Sequence, residues 1–224
     1  LDLNTKHRLI YLNTIKSLKA FHSKRMILKE LGELVKTCSS PFKKDSPQDF
    51  LTSKDVFLIK EIRKLLKKGN SCVVWCSFIE TSKRIERLLS DFNPLCVNGT
   101  ISMDQRNSKI ESFKRGDSKI LVATMQSCKE GLNLQCANYA YFYDLSLKLE
   151  DILQAQDRIH RLSQNKDVFI KFLVYRNTIE SWIISLFKIK KHLSVDIFNN
   201  YLRLNPDLVF GTTDELKKHL LDEK

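Results

Sequence analysis

Several features that would decide a function class are missing from this 224-residue chain. No run of eighteen apolar residues occurs, so no segment reads as a membrane span. Six cysteines are present (Cys38, Cys72, Cys76, Cys96, Cys128 and Cys136), but none forms a C-x-x-C pair. The five histidines do not cluster with them, so no zinc-site spacing is present. The cysteines are therefore expected as reduced, small core residues of an intracellular protein, either in the cytoplasm of a prokaryote or virus-infected cell or in a nucleus. Residue 1 is Leu rather than Met and no signal-peptide pattern follows. The expectation is a fragment or processed product that is not secreted. No internal repeat or low-complexity tract appears. No G-x-x-x-x-G-K-[ST] loop and no Asp-Glu-x-His run occurs either, so the chain lacks the usual means of cradling nucleotide phosphates and holding Mg²⁺.

What is present is a globular composition, with 42% hydrophobic and 29% charged residues, in a chain long enough for a real core. The net charge of +12 is unevenly placed: residues 1–70 hold 16 cations and 7 anions, while residues 71–224 hold 22 and 19. A basic arm beside a nearly neutral body suggests a polyanion partner, most simply nucleic acid. A surface merely decorated with lysine is the alternative.

Apolar periodicity predicts helices over 6–20 (Leu9, Leu12, Ile15, Leu18) and 24–37 (Ile27, Leu28, Leu31, Leu34, Val35). Two prolines and clustered polar residues make 38–52 a break. Ser53 is placed to cap a helix with Val56, Ile59, Ile62 and Leu66 inward, and Gly69-Asn70 to end it. Strand and helix then alternate. Strands are expected at 72–76, 95–97, 119–123, 139–143 and 168–174. Helices are expected at 80–90 (Ile85, Leu88, Leu89 buried), at 102–115 (Met103, Ile110, Phe113 inward) and around 154–164. Apolar strands alternating with amphipathic helices imply an α/β fold, a parallel sheet with helices on both faces, with ligands gathering beyond the strands' carboxyl ends. A helical segment precedes it. A long C-terminal helix follows, striped with Ile179, Trp182, Ile183, Leu186, Ile189 and Leu193. The implied organisation is a helical segment over 1–41, a linker over 42–52, a sheet-containing lobe with its fold-back helix over 53–204, and a tail or short helix over 205–224.

The most informative stretch is Gln154-Ala155-Gln156-Asp157-Arg158-Ile159-His160-Arg161-Leu162-Ser163-Gln164. On one helix, Gln154, Arg158 and Arg161 share a narrow face. Two guanidiniums so close favour an anion between them, and their planar donor forks suit phosphate oxygens. Spacing alone leaves open a plain surface helix with an Asp157–Arg161 ion pair.

The pattern Gln-Ala-x-x-Arg-x-x-Arg-x-x-Gln closely resembles motif VI of the SWI/SNF-like ATPases, a branch of the superfamily-two helicases. Residues Thr124 to Asp144, with Gly131-Leu132-Asn133-Leu134, resemble motif V. Val73-Val74-Trp75-Cys76-Ser77-Phe78 resembles motif IV. Asn98-Gly99-Thr100, with Arg106 and Phe113 on the next helix, and Thr178-Ile179-Glu180 also match. The resemblance covers roughly residues 34–190. It departs at Cys128-Lys129, where the family usually has Gly-Gly. It departs again at Leu145-Ser146-Leu147, in place of a Trp-Asn-Pro-like segment, and at Ser163, in place of glycine. Two residues with β-carbons do not copy a glycine pair's backbone freely.

The resemblance implies the second RecA-like lobe of a DNA-dependent ATPase. Arg158 and Arg161 would be arginine fingers to ATP held, with Mg²⁺, mainly by a first lobe. Gln154, Gly131 and Asn133 would lie toward the nucleotide. Ser77, Gly99, Thr100, Arg106, Thr124 and Lys129 would meet the backbone of duplex DNA. Its partners would be DNA and the first lobe of the same protein, in a monomer without membrane association and inactive without that lobe. A non-catalytic nucleic-acid-binding module and an RNA-directed helicase lobe are the alternatives. Duplex translocation is favoured over strand separation because the resemblance is to translocases.

Overall fold

The computed structural model describes residues 1–17, 24–41, 50–128, 132–160 and 166–190, without the side chains of 24–28, 128 and 186–190. The chain divides into two compact units, Leu1–Gln48 with Val174–Lys224, and Asp49–Leu173.

The first unit contains α1 (Thr5–Ser17), α2 (Lys24–Ser39) and α7 (Ile179–Lys190). Tyr11, Ile15, Leu31, Leu34, Val35, Cys38, Ile179 and Ile183 form its apolar interior. The Tyr11 hydroxyl accepts the Ile179 N–H at 2.8 Å, which satisfies one of the orphan donors at the start of α7. The amino terminus of Leu1 donates to the Val174 carbonyl at 3.0 Å. The sequence expectations at 18–20, at 42–49, for Leu193 and over 205–224 lie outside the described residues.

The second unit is built on a five-stranded, all-parallel sheet. Its strands are β1 (Cys72–Cys76), β2 (Leu95–Val97), β3 (Ile120–Thr124), β4 (Tyr139–Phe142) and β5 (Phe169–Phe172), in the order β2-β3-β1-β4-β5. Of the three interior strands, β1 and β3 are buried along their whole length and β4 from Ala140 to Phe142, as expected of apolar runs covered on both faces. The helices are α3 (Ser53–Lys67), α4 (Ile79–Leu88), α5 (Met103–Arg115) and α6 (Leu149–Asp157). The β1-to-β2 connection runs one way across the sheet, and the β2-to-β3 and β4-to-β5 connections run the other. Right-handed crossovers then put α4 on one face and α5 and α6 on the opposite one.

Four sequence expectations are corrected. The N-cap of α3 is Thr52, not Ser53: the Thr52 hydroxyl accepts the Asp55 N–H while the Asp55 carboxylate accepts the Thr52 N–H, a reciprocal capping box. The buried face of α3 is Leu58, Ile62 and Leu65, and Val56 is 54% exposed. Met103 is also 54% exposed because it opens α5 ahead of the turns that reach the core. Cys136 is exposed, unlike Cys38, Cys72, Cys76 and Cys96.

Candidate functional site

Parallel strands bring their carboxyl ends to one edge. Ser77 follows β1, Asn98-Gly99-Thr100 follows β2, Thr124 ends β3, and Tyr143-Asp144 follows β4. The chain leaves β1 in one direction across the sheet and leaves the neighbouring β4 in the other. This makes the β1/β4 carboxyl edge the topological switch point, where such folds open a crevice. Here it is bridged: the Asp144 carboxylate accepts a hydrogen bond from the Ser77 N–H. The Ser77 Oγ is enclosed and makes no hydrogen bond, so its donor is unspent.

Beside it, the β2 and β3 ends form a second cluster. The Asn98 carboxamide oxygen accepts from both the N–H and the hydroxyl of Thr100, at 3.0 and 2.7 Å, and its amide donates to Ser82 Oγ at 3.2 Å. Thr100 is thus held in an Asx-type turn, and the cap of α5 is Ser102, in a capping box with Gln105. Gly99 is exposed. A β-carbon there would meet only Ile79 Cδ1 at 3.8 Å, so glycine is required neither by space nor by backbone angle. Arg106 points across the edge and donates to the Ser127 carbonyl at 2.9 Å. Thr124 is buried, and its hydroxyl donates to Ser127 Oγ at 2.8 Å. Ser127 Oγ in turn donates to the carbonyls of Thr124, at 2.8 Å, and Val97, at 3.2 Å. Ser127 therefore ties the ends of β2 and β3 together. Sequence reading passed over it because its role depends on partners up to thirty residues away. Lys129 and Gly131 lie outside the described residues. Asn133 fixes its own turn, its side-chain oxygen accepting the Gln135 N–H at 3.1 Å.

The arginine-bearing segment is not one helix through Gln164. Helix α6 starts at Leu149 and ends at Asp157, and Arg158 is its C-cap. The Ile159 and His160 N–H groups both close on the Gln156 carbonyl, so the last turn tightens. Gln154 is exposed and Arg158 half-buried. The Arg158 carbonyl accepts the Leu134 N–H at 3.0 Å, which brings the segment after Asn133 against the end of α6. Arg161 and Gln164 lie outside the described residues.

The chemistry of this edge is that of donors and dipoles. At the opposite, amino end of β1, burial pushes the Cys72 thiol up to about 12. Cys76 is raised well above its ordinary value by burial and then by Asp144. These thiols are protonated at neutral pH and serve as core residues, not nucleophiles. Among the described residues no group of His, Cys, Asp and Glu is arranged to hold a metal ion.

Residues 53–163 match the family model of the helicase conserved C-terminal domain. The chain carries a C-terminal helicase lobe of the SWI/SNF-like family. It is 29% identical over 153 residues to the ATP-dependent helicase fft3 of Schizosaccharomyces pombe, a match covering 65% of this chain and 17% of that protein. It is 29% identical over 174 residues to the ATP-dependent helicase FUN30 of Saccharomyces cerevisiae, covering 74% and 15%. The SWI2/SNF2 ATPase core of Sulfolobus solfataricus, solved in complex with double-stranded DNA, has the same fold. Its TM-score is 0.79 at 22% identity, covering 98% of this chain and 48% of that one. The sheet is therefore RecA-like. This helicase lobe spans about a fifth or less of the length of the curated relatives it matches.

Proposed function

We propose that this lobe is the second half of an ATP-driven motor that tracks along duplex DNA. Arg158 and Arg161 supply arginine fingers to ATP, which is held together with Mg²⁺ mainly by a first lobe. The observation that carries the reading is the family-type Gln-Ala-x-x-Arg-x-x-Arg-x-x-Gln segment on an SWI/SNF-like lobe that has no phosphate-cradling loop of its own. The link from the Arg158 carbonyl to Leu134 supports it, because it joins the arginine segment to the motif V segment. ATP-dependent helicase relatives support the use of ATP, and the archaeal complex supports a duplex DNA partner.

In this reading the DNA backbone is met by the Gly99-Thr100 turn, Arg106 and Lys129, while Ser77 anchors the segment after β1 to Asp144 and Thr124 acts from beneath through Ser127. Gln154, Gly131 and Asn133 shape the nucleotide side. An arginine finger stabilises charge that develops on the transferred phosphoryl group, so its loss acts on turnover. In the intact protein, Arg161→Ala is expected to lower DNA-stimulated ATP hydrolysis by on the order of 10³-fold. A rate near that of the wild type would overturn the assignment.

A further inference from the structure

Beneath the Ser77–Asp144 bridge lies a buried ionic cluster that no part of the motor reading uses. Thr52, Lys54, Asp55, Arg84 and Tyr143 are each 3% exposed or less. Arg84 donates to both Asp55 carboxylate oxygens at 2.9 Å and to the Tyr143 hydroxyl at 2.5 Å. That hydroxyl donates to Asp55 at 2.8 Å and sits 3.2 Å from the Thr52 hydroxyl. Burial by itself would lower the Arg84 pKa, but Tyr143 and Asp55 hold it above the ordinary arginine value, so the guanidinium stays charged. Lys54 Nζ donates to the Tyr143 main-chain carbonyl at 2.8 Å.

Burying charge is a poor way to gain stability, since apolar residues of like volume serve as well or better. What this cluster does add is a fixed direction. Strand β4 ends at Phe142, and the Tyr143 N–H makes its last strand-like bond, to the Trp75 carbonyl at 3.0 Å. The Tyr143 carbonyl has Lys54 as its donor where a strand would continue. The next residue, Asp144, receives the Ser77 N–H. Ser146 then donates to Asp151 at 3.1 Å and accepts the Lys148 N–H at 3.0 Å, setting the start of α6. At the other end of α6 stands Arg158.

We infer that Lys54, Asp55 and Arg84 are positioning residues that fix where the chain leaves β4, and through the 144–148 turn set the placement of α6 and Arg158. This rests on the proposed motor function. Turnover then depends on the cluster while nucleotide and DNA affinity do not, because a misplacement of about 1 Å in a catalytic group is enough to cost on the order of 10²-fold in rate.

The test uses the intact protein carrying Lys54→Met, which keeps most of the unbranched apolar stem and removes the donor. Lys54→Arg is the conservative variant and Arg158→Ala the control. The measurements are DNA-stimulated ATPase kinetics, melting temperature and amide hydrogen exchange. For Lys54→Met the expected result is a kcat reduced by at least about tenfold, KM for ATP and half-saturating duplex concentration within about twofold, and faster exchange confined to 144–158. Lys54→Arg is expected to recover part of the loss. Unchanged kcat with unchanged exchange would overturn the inference, and so would a loss of activity accompanied by loosening throughout the lobe. If Arg158→Ala leaves turnover intact, the motor reading fails, and the exchange pattern over 144–158 alone decides the positioning role. Should Lys54→Met not fold, Tyr143→Phe, which removes only the hydroxyl between Asp55 and Arg84, carries the same comparison.

Discussion

Glu61 on α3 is the acceptor for Lys171 of edge strand β5 and, at 3.4 Å, for Lys64 on its own helix. The hydrogen bond from Lys171 lowers the Glu61 pKa most, with the charges of Lys171 and Lys64 adding to it against the opposing effect of burial. A carboxylate whose pKa is depressed on folding contributes stability above its unfolded value, and that contribution is lost as pH falls through the lower folded value. Glu61→Gln is therefore expected to melt lower than the wild type at pH 7, by about 1 kcal/mol or less given the exposure of Lys171. The gap should close as the pH falls below the ordinary glutamate value and through the lower folded one. Melting curves from pH 3 to 7 check this, and a gap that widens in acid would refute it. At this scale the sequence made the arginines legible, because Arg158 and Arg161 sit in one short pattern. It did not reveal Lys54 and Tyr143, which meet across 89 residues of chain. Nor did it reveal Asp144, whose partner Ser77 follows β1, or Ser127, which reaches Val97 at the end of β2.

Amphipathic periodicity finds a helix more surely than the side it buries. On α3, Val56, Ile59, Ile62 and Leu66 make one apolar stripe, and Leu58, Ile62 and Leu65 make an adjacent one. The residues the second unit buries are the second stripe. Leu58→Ala is accordingly expected to cost about 2–5 kcal/mol, as a large core truncation does. Val56→Lys is expected within about 0.5 kcal/mol of the wild type. Urea unfolding of the two variants decides between the stripes, and a larger loss for Val56→Lys would reverse the assignment. Capping was half legible: a Thr-Ser pair spans the start of α3, and only the reciprocal bonds with Asp55 select Thr52. The motif VI segment was legible as a helix but not as to its end. The tightened turn at Ile159 and His160 comes from main-chain bonding to Gln156, for which the residues carry no Gly or Pro signal.

For the whole molecule, alternating apolar strands and amphipathic helices were enough for a parallel sheet, since consecutive parallel strands need helical crossovers. The proposed division of labour between two lobes predicts that residues 1–224 alone hydrolyse ATP negligibly with or without duplex DNA, measured as phosphate release. Sustained DNA-stimulated turnover by this chain would sink it. The sequence by itself determined the residue chemistry, the succession of elements and the family pattern, because these are local properties of spacing and polarity. Only the tertiary structure decided the order β2-β3-β1-β4-β5. It also decided the Ser77–Asp144 bridge at the switch point and the buried Asp55–Arg84–Tyr143 cluster under it. Those depend on which strands become neighbours, and neighbours are chosen by burying both faces of the sheet at once, a condition that no single stretch of the chain carries.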